Sequence, residues 1–183
     1  MEPGTIEDIS MLNFRTQFET DFFGLIRFTK LVLPFMMKNG QGRIVNVSSM
    51  AGLVSLPLIG AYCAAKHALE AVSDALRMEL WDTGFKVVTI NPGVIETNIH
   101  TVTRSKIVLL GNSRFANAYR KYLDNVPNGL PPSAVAGTIL DAIASANPKL
   151  RYIIGARREK AGVRRRPYIP DKLFYSQVAK RLT

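Results

Sequence analysis

Tyr62 and Lys66 are the residues whose types and spacing point most clearly to chemistry. They lie four positions apart, so on a helix their side chains share one face. An unperturbed phenol ionises near pH 10, and bringing its pKa to neutrality corresponds to about 4 kcal/mol. A neighbouring ammonium favours the phenolate and can supply part of that change. The pair therefore indicates proton transfer at a substrate oxygen.

The spacing alone is weak evidence, because tyrosine and lysine can fall four positions apart by chance. Tyr168 and Lys172 have the same spacing, but Pro170 stands between them and disfavours a continuous helix. The Tyr62 pair differs in its context, since it opens a long alanine-rich segment and follows Ser49. That context favours a catalytic interpretation.

Other kinds of site receive little support from the sequence. A single cysteine, Cys63, excludes an internal disulfide and a cysteine-cluster metal site. His67 and His100 are the only histidines, and no Gly-x-Ser-x-Gly turn surrounds a serine. We therefore expect no metal site and disfavour a hydrolase.

The elements that must position these residues alternate along the chain. Ser10 is a suitable N-cap for the first helix, Gly84 is placed to stop the second, and Pro92 is placed to end the second strand. The predicted elements are a helix from Ser10 to about Lys38, a strand at 43–47, a helix at 61–82, a strand at 85–90, a helix at 131–146 and a strand at 151–154. Such alternation predicts an α/β fold with parallel strands joined by crossover helices.

Small polar residues follow the first two predicted strands. Ser48 and Ser49 come after the first strand, and the segment 91–97 (NPGVIET) comes after the second. In open parallel sheets, ligands bind beyond the carboxyl ends of the strands. We therefore expect both segments to border the same site.

Three segments together resemble the short-chain dehydrogenase/reductase family: 46–52 (NVSSMAG), 62–66 (YCAAK) and 91–97. Two more, 76–80 (LRMEL) and 151–155 (RYIIG), are similar to its 17β-hydroxysteroid or retinol dehydrogenase-like subgroup. The resemblance implies the C-terminal part of a doubly wound Rossmann-type parallel sheet with about three strands. It also implies hydride transfer between NAD or NADP and an alcohol or ketone.

The resemblance also implies roles for individual residues. Tyr62 would be the general acid/base, and Ser49 would hold the substrate oxygen. Lys66 would lower the pKa of Tyr62 and, with Tyr62, contact the nicotinamide ribose. The residues implied to border the nicotinamide or its phosphates are Pro92, Gly93, Ile95 and Thr97.

Asp21 departs from the family pattern, because asparagine is expected at this catalytic position. Aspartate keeps a polar acceptor, loses the amide donor and adds a negative charge near Lys66. The alternative is a surface-facing aspartate without a catalytic role.

A second departure concerns the cofactor phosphates. The glycine-rich turn that cradles the pyrophosphate in this family does not occur in the 183 residues. We therefore expect a fragment that lacks roughly 80 residues, at about 30 residues for each strand–helix–strand unit. Without them the strand at 43–47 should expose an unpaired apolar edge.

The net charge of +10 is concentrated at one end of the chain. We predict a partial Rossmann-like domain at 1–155 and a basic tail at 156–183. The basic tail is interpreted as a solvated or partner-facing segment, with anionic-membrane contact as an alternative. No nucleic-acid motif accompanies the charge. The single cysteine and the absence of an apolar signal or spanning segment predict a cytoplasmic protein.

Two functional hypotheses follow. The first is an NAD(P)-dependent oxidoreductase, and the apolar residues of segment 98–128 suggest an apolar alcohol or ketone such as a steroid, retinoid or lipid-like molecule. The second is a non-catalytic dehydrogenase-like remnant. In the family, helices corresponding to 10–38 and 61–82 pack across a subunit interface. The resemblance therefore implies a homo-oligomer for the enzyme, and the remnant would act by associating through these helices with a partner subunit.

Overall fold

The computed structural model describes residues 1–108, 110, 112–125 and 128–180. Three parallel strands form its sheet in the order β1 (Gln41–Val47), β2 (Gly84–Pro92) and β3 (Arg151–Ile154). In the register, Val47 of β1 lies opposite Ile90 of β2, which in turn lies opposite Tyr152 of β3. The predicted α/β class and its three parallel strands are confirmed.

The helix predicted from Ser10 to about Lys38 is present, but it contains a π-helical segment that was not predicted. This first helical run comprises α1 (Met11–Phe18), a π-helical segment (Glu19–Phe23) and α2 (Gly24–Lys38). The hydroxyl of Ser10 caps it by accepting from the backbone N–H of Asn13, at 3.1 Å. The run ends at Lys38, so the predicted bounds are confirmed. Single π turns are frequent at functional sites, and this one carries Asp21.

The second predicted helix is shorter than expected. It forms α3 (Gly60–Glu79), so the predicted extension to Asp82 is wrong. Gly84 does not stop this helix; it is the first residue of β2. A Cβ atom at Gly84 would overlap the backbone carbonyl oxygen of Gly40, because the two chains meet there at the start of the β1–β2 pairing. The glycine is required by this close approach.

The end of β2 also differs from the prediction. Asn91 and Pro92 were expected to end the strand, yet both belong to it, and Pro92 lies opposite Ile154. Proline is tolerated at this last position because the next ladder hydrogen bond is donated by the N–H of Gly93 to Ile154 O, at 2.7 Å.

One of the remaining helices packs against all three strands of the sheet. The third predicted helix is confirmed as α6 (Pro132–Ala144). Four further helices were not predicted, because their segments were interpreted as an irregular stretch and a solvated tail: α4 (Ile99–Val108), α5 (Ala116–Asp124), α7 (Arg157–Arg165) and α8 (Asp171–Ala179). Within the segments 98–128 and 156–183, residues 109, 111, 126, 127 and 181–183 lie outside the described residues.

The core is divided by the sheet into separate apolar clusters. Val88 and Ile90 of β2 point to one face, where they pack with Ala142 of α6. A second cluster is formed by Tyr119 of α5, Ile107 of α4 and Leu58. Within the described residues β1 pairs with β2 alone, so its other edge is unpaired as predicted. None of the helices described here is long and apolar enough to cross a bilayer.

Candidate active site

The carboxyl ends of β1 and β2 bring Ser49 next to Pro92. Ser49 follows β1 and caps a short 3₁₀ turn by accepting from the N–H of Ala51, at 3.1 Å. Its hydroxyl donates to the carbonyl oxygen of Pro92, at 3.3 Å. The serine is buried, with a relative exposure of 9%. Two strand ends therefore fix its position.

Tyr62 lies in the first turn of α3, close enough to Ser49 for the serine hydroxyl to influence the pKa of the phenol. The ammonium nitrogen of Lys66, one turn further along α3, lies 5.7 Å from the centroid of the Tyr62 ring. The structure thus brings the serine, tyrosine and lysine together, as the sequence pattern indicated. Their catalytic roles stay a prediction.

Lys66 is buried and has two oxygen partners. Its Nζ donates to the carbonyl oxygen of Val47 at 3.2 Å and lies 3.8 Å from Oδ1 of Asp21. Val47 is the last residue of β1, and Asp21 belongs to the π-helical segment. The lysine therefore joins the first helical run, the sheet and α3.

Asp21 is held in the site by a residue that the sequence analysis did not single out. Its Oδ2 accepts a short hydrogen bond from the side-chain amide of Gln17, one turn earlier. Gln17 is 4% exposed, and its Oε1 accepts from the backbone N–H of Glu2 at 2.7 Å. Asp21 thus faces Lys66, which is not the surface-facing arrangement considered as the alternative.

The electrostatics of Tyr62 differ in direction from the expectation. Burial raises the pKa of the Tyr62 phenol above 10.0; the Ser49 hydroxyl opposes this shift, and the Asp21 carboxylate adds to it. Burial lowers the pKa of Lys66 below 10.5, while the carboxylates of Asp21 and Glu70 raise it. The expected lowering of the Tyr62 pKa by Lys66 stays a prediction, and the causes that raise this pKa are burial and the Asp21 carboxylate.

A buried polar network beneath the site was also not found from the sequence. Glu70 of α3 accepts from Asn91 Nδ2 at 2.7 Å and from Arg151 Nε at 3.0 Å. The same Asn91 amide donates to the carbonyl oxygen of Ser49 at 3.2 Å. Glu70 lies four residues after Lys66, and that spacing is the one sequence signal that could have suggested it.

The segment after β2 borders a cavity of about 420 Å³ whose lining includes Ile95, Thr97 and His100. Val94 O and Glu96 N form hydrogen bonds with Leu130, at 3.0 and 2.9 Å.

Because backbone groups alternate in direction along an extended chain, the N–H and C=O of the intervening Ile95 point away from Leu130. Both ring nitrogens of His100 are buried and have no hydrogen-bond partner in the described structure. The backbone N–H and C=O of Ile95, beside an open cavity, suit the polar groups of a nicotinamide dinucleotide. The assignment of Pro92, Gly93, Ile95 and Thr97 to the cofactor stays a prediction.

Gly93 is separated from this cavity by its contacts. A Cβ atom at Gly93 would come within 2.7 Å of the carboxylate of Glu159, a residue of α7. The glycine thus admits a side chain from the basic tail. Among the described residues, no cluster of histidine, cysteine and carboxylate side chains suits a metal ion.

The parallel α/β sheet, with Ser49, Tyr62 and Lys66 beyond its carboxyl edge, agrees with a dehydrogenase-type fold. The sequence profile of the family described as short chain dehydrogenase matches residues 1–107. The chain belongs to this family.

Known proteins support the same assignment. The oxidoreductase YusZ of Bacillus subtilis is 40% identical over 159 residues, which are 83% of this chain and 57% of YusZ. The NADPH-dependent 3-dehydrocapnine reductase of Ornithobacterium rhinotracheale is 32% identical over 97% of this chain and 66% of its own length. A short-chain dehydrogenase structure from Streptomyces avermitilis has a TM-score of 0.72 at 24% identity, covering 97% of this chain and 64% of that one. The chain thus spans about half to two thirds of the length of these relatives.

Replacing Asp21 with asparagine is expected to lower the pKa of Lys66 further, because the carboxylate now opposes the effect of burial. The titration of the Lys66 side chain, followed by NMR of its labelled Cε, measures this shift. Glu19→Gln is the control, since Glu19 lies on the same π-helical segment but pairs with Arg27 at the surface. An unchanged Lys66 midpoint in Asp21→Asn would contradict the assigned ion pair.

Proposed function

We propose that this chain forms the substrate-side part of an NAD(P)-dependent oxidoreductase that interconverts a ketone and an alcohol. The observation that carries the proposal is the proximity of Tyr62 to the buried Ser49, with the Lys66 ammonium 5.7 Å from the Tyr62 ring. The NADPH-dependent reductase relative supports a nicotinamide cofactor. Because no glycine-rich phosphate turn occurs in this sequence, the proposal includes a pyrophosphate site formed by residues outside 1–183.

When bound, the reduced cofactor supplies a hydride to the carbonyl carbon. Ser49 orients the carbonyl oxygen by donating its hydroxyl hydrogen, and Tyr62 transfers its phenolic proton to that oxygen, so the product is an alcohol. Lys66 stabilises the phenolate left on Tyr62, and Asp21 with the Val47 carbonyl keeps Lys66 in place. Ile95 and Thr97 would hold the nicotinamide end.

Tyr62 would act as the acid in carbonyl reduction and as the base in alcohol oxidation. Burial raises the pKa of Tyr62, so the phenol carries the proton that the reduction step uses at neutral pH. The same residue serves both directions of the reaction.

The surroundings of Tyr62 favour an apolar substrate. Tyr122 of α5 is close enough to interact electrostatically with Tyr62, and it packs against a cluster formed by Leu58, Ile107 and Tyr119. An apolar wall beside the reacting oxygen suits a steroid, retinoid or lipid-like ketone, in keeping with the hydroxysteroid or retinol dehydrogenase-like subgroup.

Tyr62→Phe tests the proposal directly, because it removes the transferred proton and keeps the ring. We expect kcat for ketone reduction with NADPH or NADH to fall by about 10²- to 10⁴-fold. Tyr168→Phe is the matched control: Tyr168 has the same spacing to a lysine but is 86% exposed and should leave kcat unchanged. The assay is done on this chain and on the longer chain encoded with any upstream in-frame sequence. Undiminished turnover by Tyr62→Phe would overturn the proposal.

A second candidate is a non-catalytic module that associates with a dehydrogenase subunit. Three large apolar side chains on one face of α2, Phe28, Leu31 and Phe35, are 66%, 70% and 69% exposed. Contiguous exposed apolar surface of this kind marks an interaction site. The same face suits a homo-oligomer of the enzyme, so association alone does not separate the two candidates.

Light scattering and calorimetry together test the second candidate. The 183-residue chain should scatter as a dimer or larger, and Leu31→Glu should reduce its mass because a charge enters the apolar face. Leu173→Glu on α8, where Leu173 is 50% exposed, is the control and should not change the mass. A monodisperse monomer contradicts association, and micromolar binding of NAD or NADP contradicts a non-catalytic role.

We also propose that the basic tail contacts anionic membrane surfaces. Arg157, Arg158, Arg164 and Arg165 are exposed on α7, and Tyr168 is exposed just beyond it. Clustered arginine with neighbouring aromatic surface suits the headgroup region of an anionic leaflet.

Co-sedimentation with vesicles measures this contact. Binding to vesicles that contain phosphatidylserine should weaken roughly 30-fold in Arg164→Gln with Arg165→Gln, at about 1 kcal/mol for each charge. Lys30→Gln on α2 is the control, because Lys30 is exposed outside the basic tail. Equal binding by both variants, or equal binding to phosphatidylcholine alone, would contradict the proposal.

A further inference from the structure

Glu159 links the basic tail to the segment that follows β2. It is the third residue of α7, and its Oε2 accepts from the backbone N–H of Ala156 at 2.7 Å, which satisfies a free donor at the helix start. Its Oε1 accepts from the backbone N–H of Val94 at 3.0 Å. One carboxylate thus joins the beginning of α7 to the residue two positions after Pro92.

Two glycines form the slot that admits this carboxylate. A Cβ atom at Gly93 would lie 2.7 Å from Oε2 of Glu159, and a Cβ atom at Gly155 would lie 2.6 Å from the same oxygen. Real Cβ atoms do not approach oxygen so closely, so any other residue at either position would displace the carboxylate. Gly93 and Gly155 follow the paired strand ends Pro92 and Ile154. The slot therefore lies just beyond the carboxyl ends of β2 and β3.

The segment 93–97 is consequently held from two sides. Leu130 binds Val94 O and Glu96 N on one side, and Glu159 binds Val94 N on the other. Between these attachments lies Ile95, whose backbone N–H and C=O point away from Leu130. A hydrogen bond to an ionised acceptor is about twice as strong as one between neutral groups, so the Glu159 contact is a strong restraint on this segment.

We propose that Glu159 is a positioning residue for the cofactor, acting by fixing the segment 93–97. The inference rests on the proposed function, because it assumes that Ile95 and Thr97 border the nicotinamide. It adds that α7, in the basic tail, helps to position the cofactor-binding segment through Glu159. Loss of the carboxylate should free the Val94 amide and weaken cofactor binding while the Ser49, Tyr62 and Lys66 cluster stays in place.

The first arm of the test needs no cofactor. Hydrogen exchange of the Val94 amide, measured by NMR, should be at least tenfold faster in Glu159→Ala, because its acceptor is gone. Glu159→Gln retains one oxygen acceptor in the slot and should restore part of the protection. Gly155→Ala, which displaces the carboxylate without removing it, should reproduce the loss. Asp171→Ala is the control, since this carboxylate pairs with Arg166 and does not contact the segment.

The second arm measures kinetics on the active enzyme. Glu159→Ala should raise KM for NADPH about tenfold and leave kcat within about twofold, with partial recovery in Glu159→Gln. If Val94 exchange is unchanged in both Glu159→Ala and Gly155→Ala, the contact is refuted. Faster exchange with an unchanged KM refutes the positioning role. A longer unsubstituted chain that includes the pyrophosphate site and shows no turnover refutes the proposed function instead, and the exchange measurement still decides the contact.

Discussion

The burial of the Lys66 ammonium is the constraint on which the rest of the site depends. A charge that is removed from water must be compensated by nearby oxygens, and removing one partner from such a pair costs several kcal/mol, roughly 3–5. Lys66 finds its partners in the last carbonyl of β1 and in Asp21. Neither would be available without the end of the strand and the π-helical segment at their observed positions. Lys66 thus holds α3 close to the first helical run and to the sheet. Because Tyr62 is on the same helix, these contacts also place Tyr62.

Polar groups below the site extend this constraint to the far side of the sheet. Glu70 is buried on the same helix as Lys66, and it binds side chains from both β2 and β3. Through Asn91 the network reaches the carbonyl of Ser49. Half-satisfied buried networks are costly, whereas fully bonded ones favour one arrangement of the chain. The serine therefore depends on residues of three elements, two of which carry no reacting group.

The sequence was informative where local pattern and spacing decide the structure. The N-cap at Ser10, the β-branched segments 43–47 and 85–90 and the Tyr62–Lys66 spacing each predicted a feature that the structure contains. The sequence did not predict the features that depend on contacts between residues far apart in the chain. The sequence pattern predicts that Gly84 ends a helix, but glycine is required there because the backbone carbonyl oxygen of Gly40 lies too close for a Cβ atom. The raised pKa of Tyr62 follows from burial and from Asp21, and Glu159 is hidden in a segment whose composition indicates only charge.

The two faces of strand β2 make different kinds of contact, one polar and one apolar. Thr89 and Asn91 meet Glu70 on one face, while Val88 and Ile90 fill the apolar layer against α6 on the other. Because consecutive residues of a strand alternate sides, gaining or losing a single residue here would exchange the faces, burying apolar groups against a carboxylate and polar groups in hydrocarbon. A change of one residue in the length of β2 is therefore expected to destabilise the fold, both in evolution and in engineering. Insertions and deletions are better accommodated in the connections between helices.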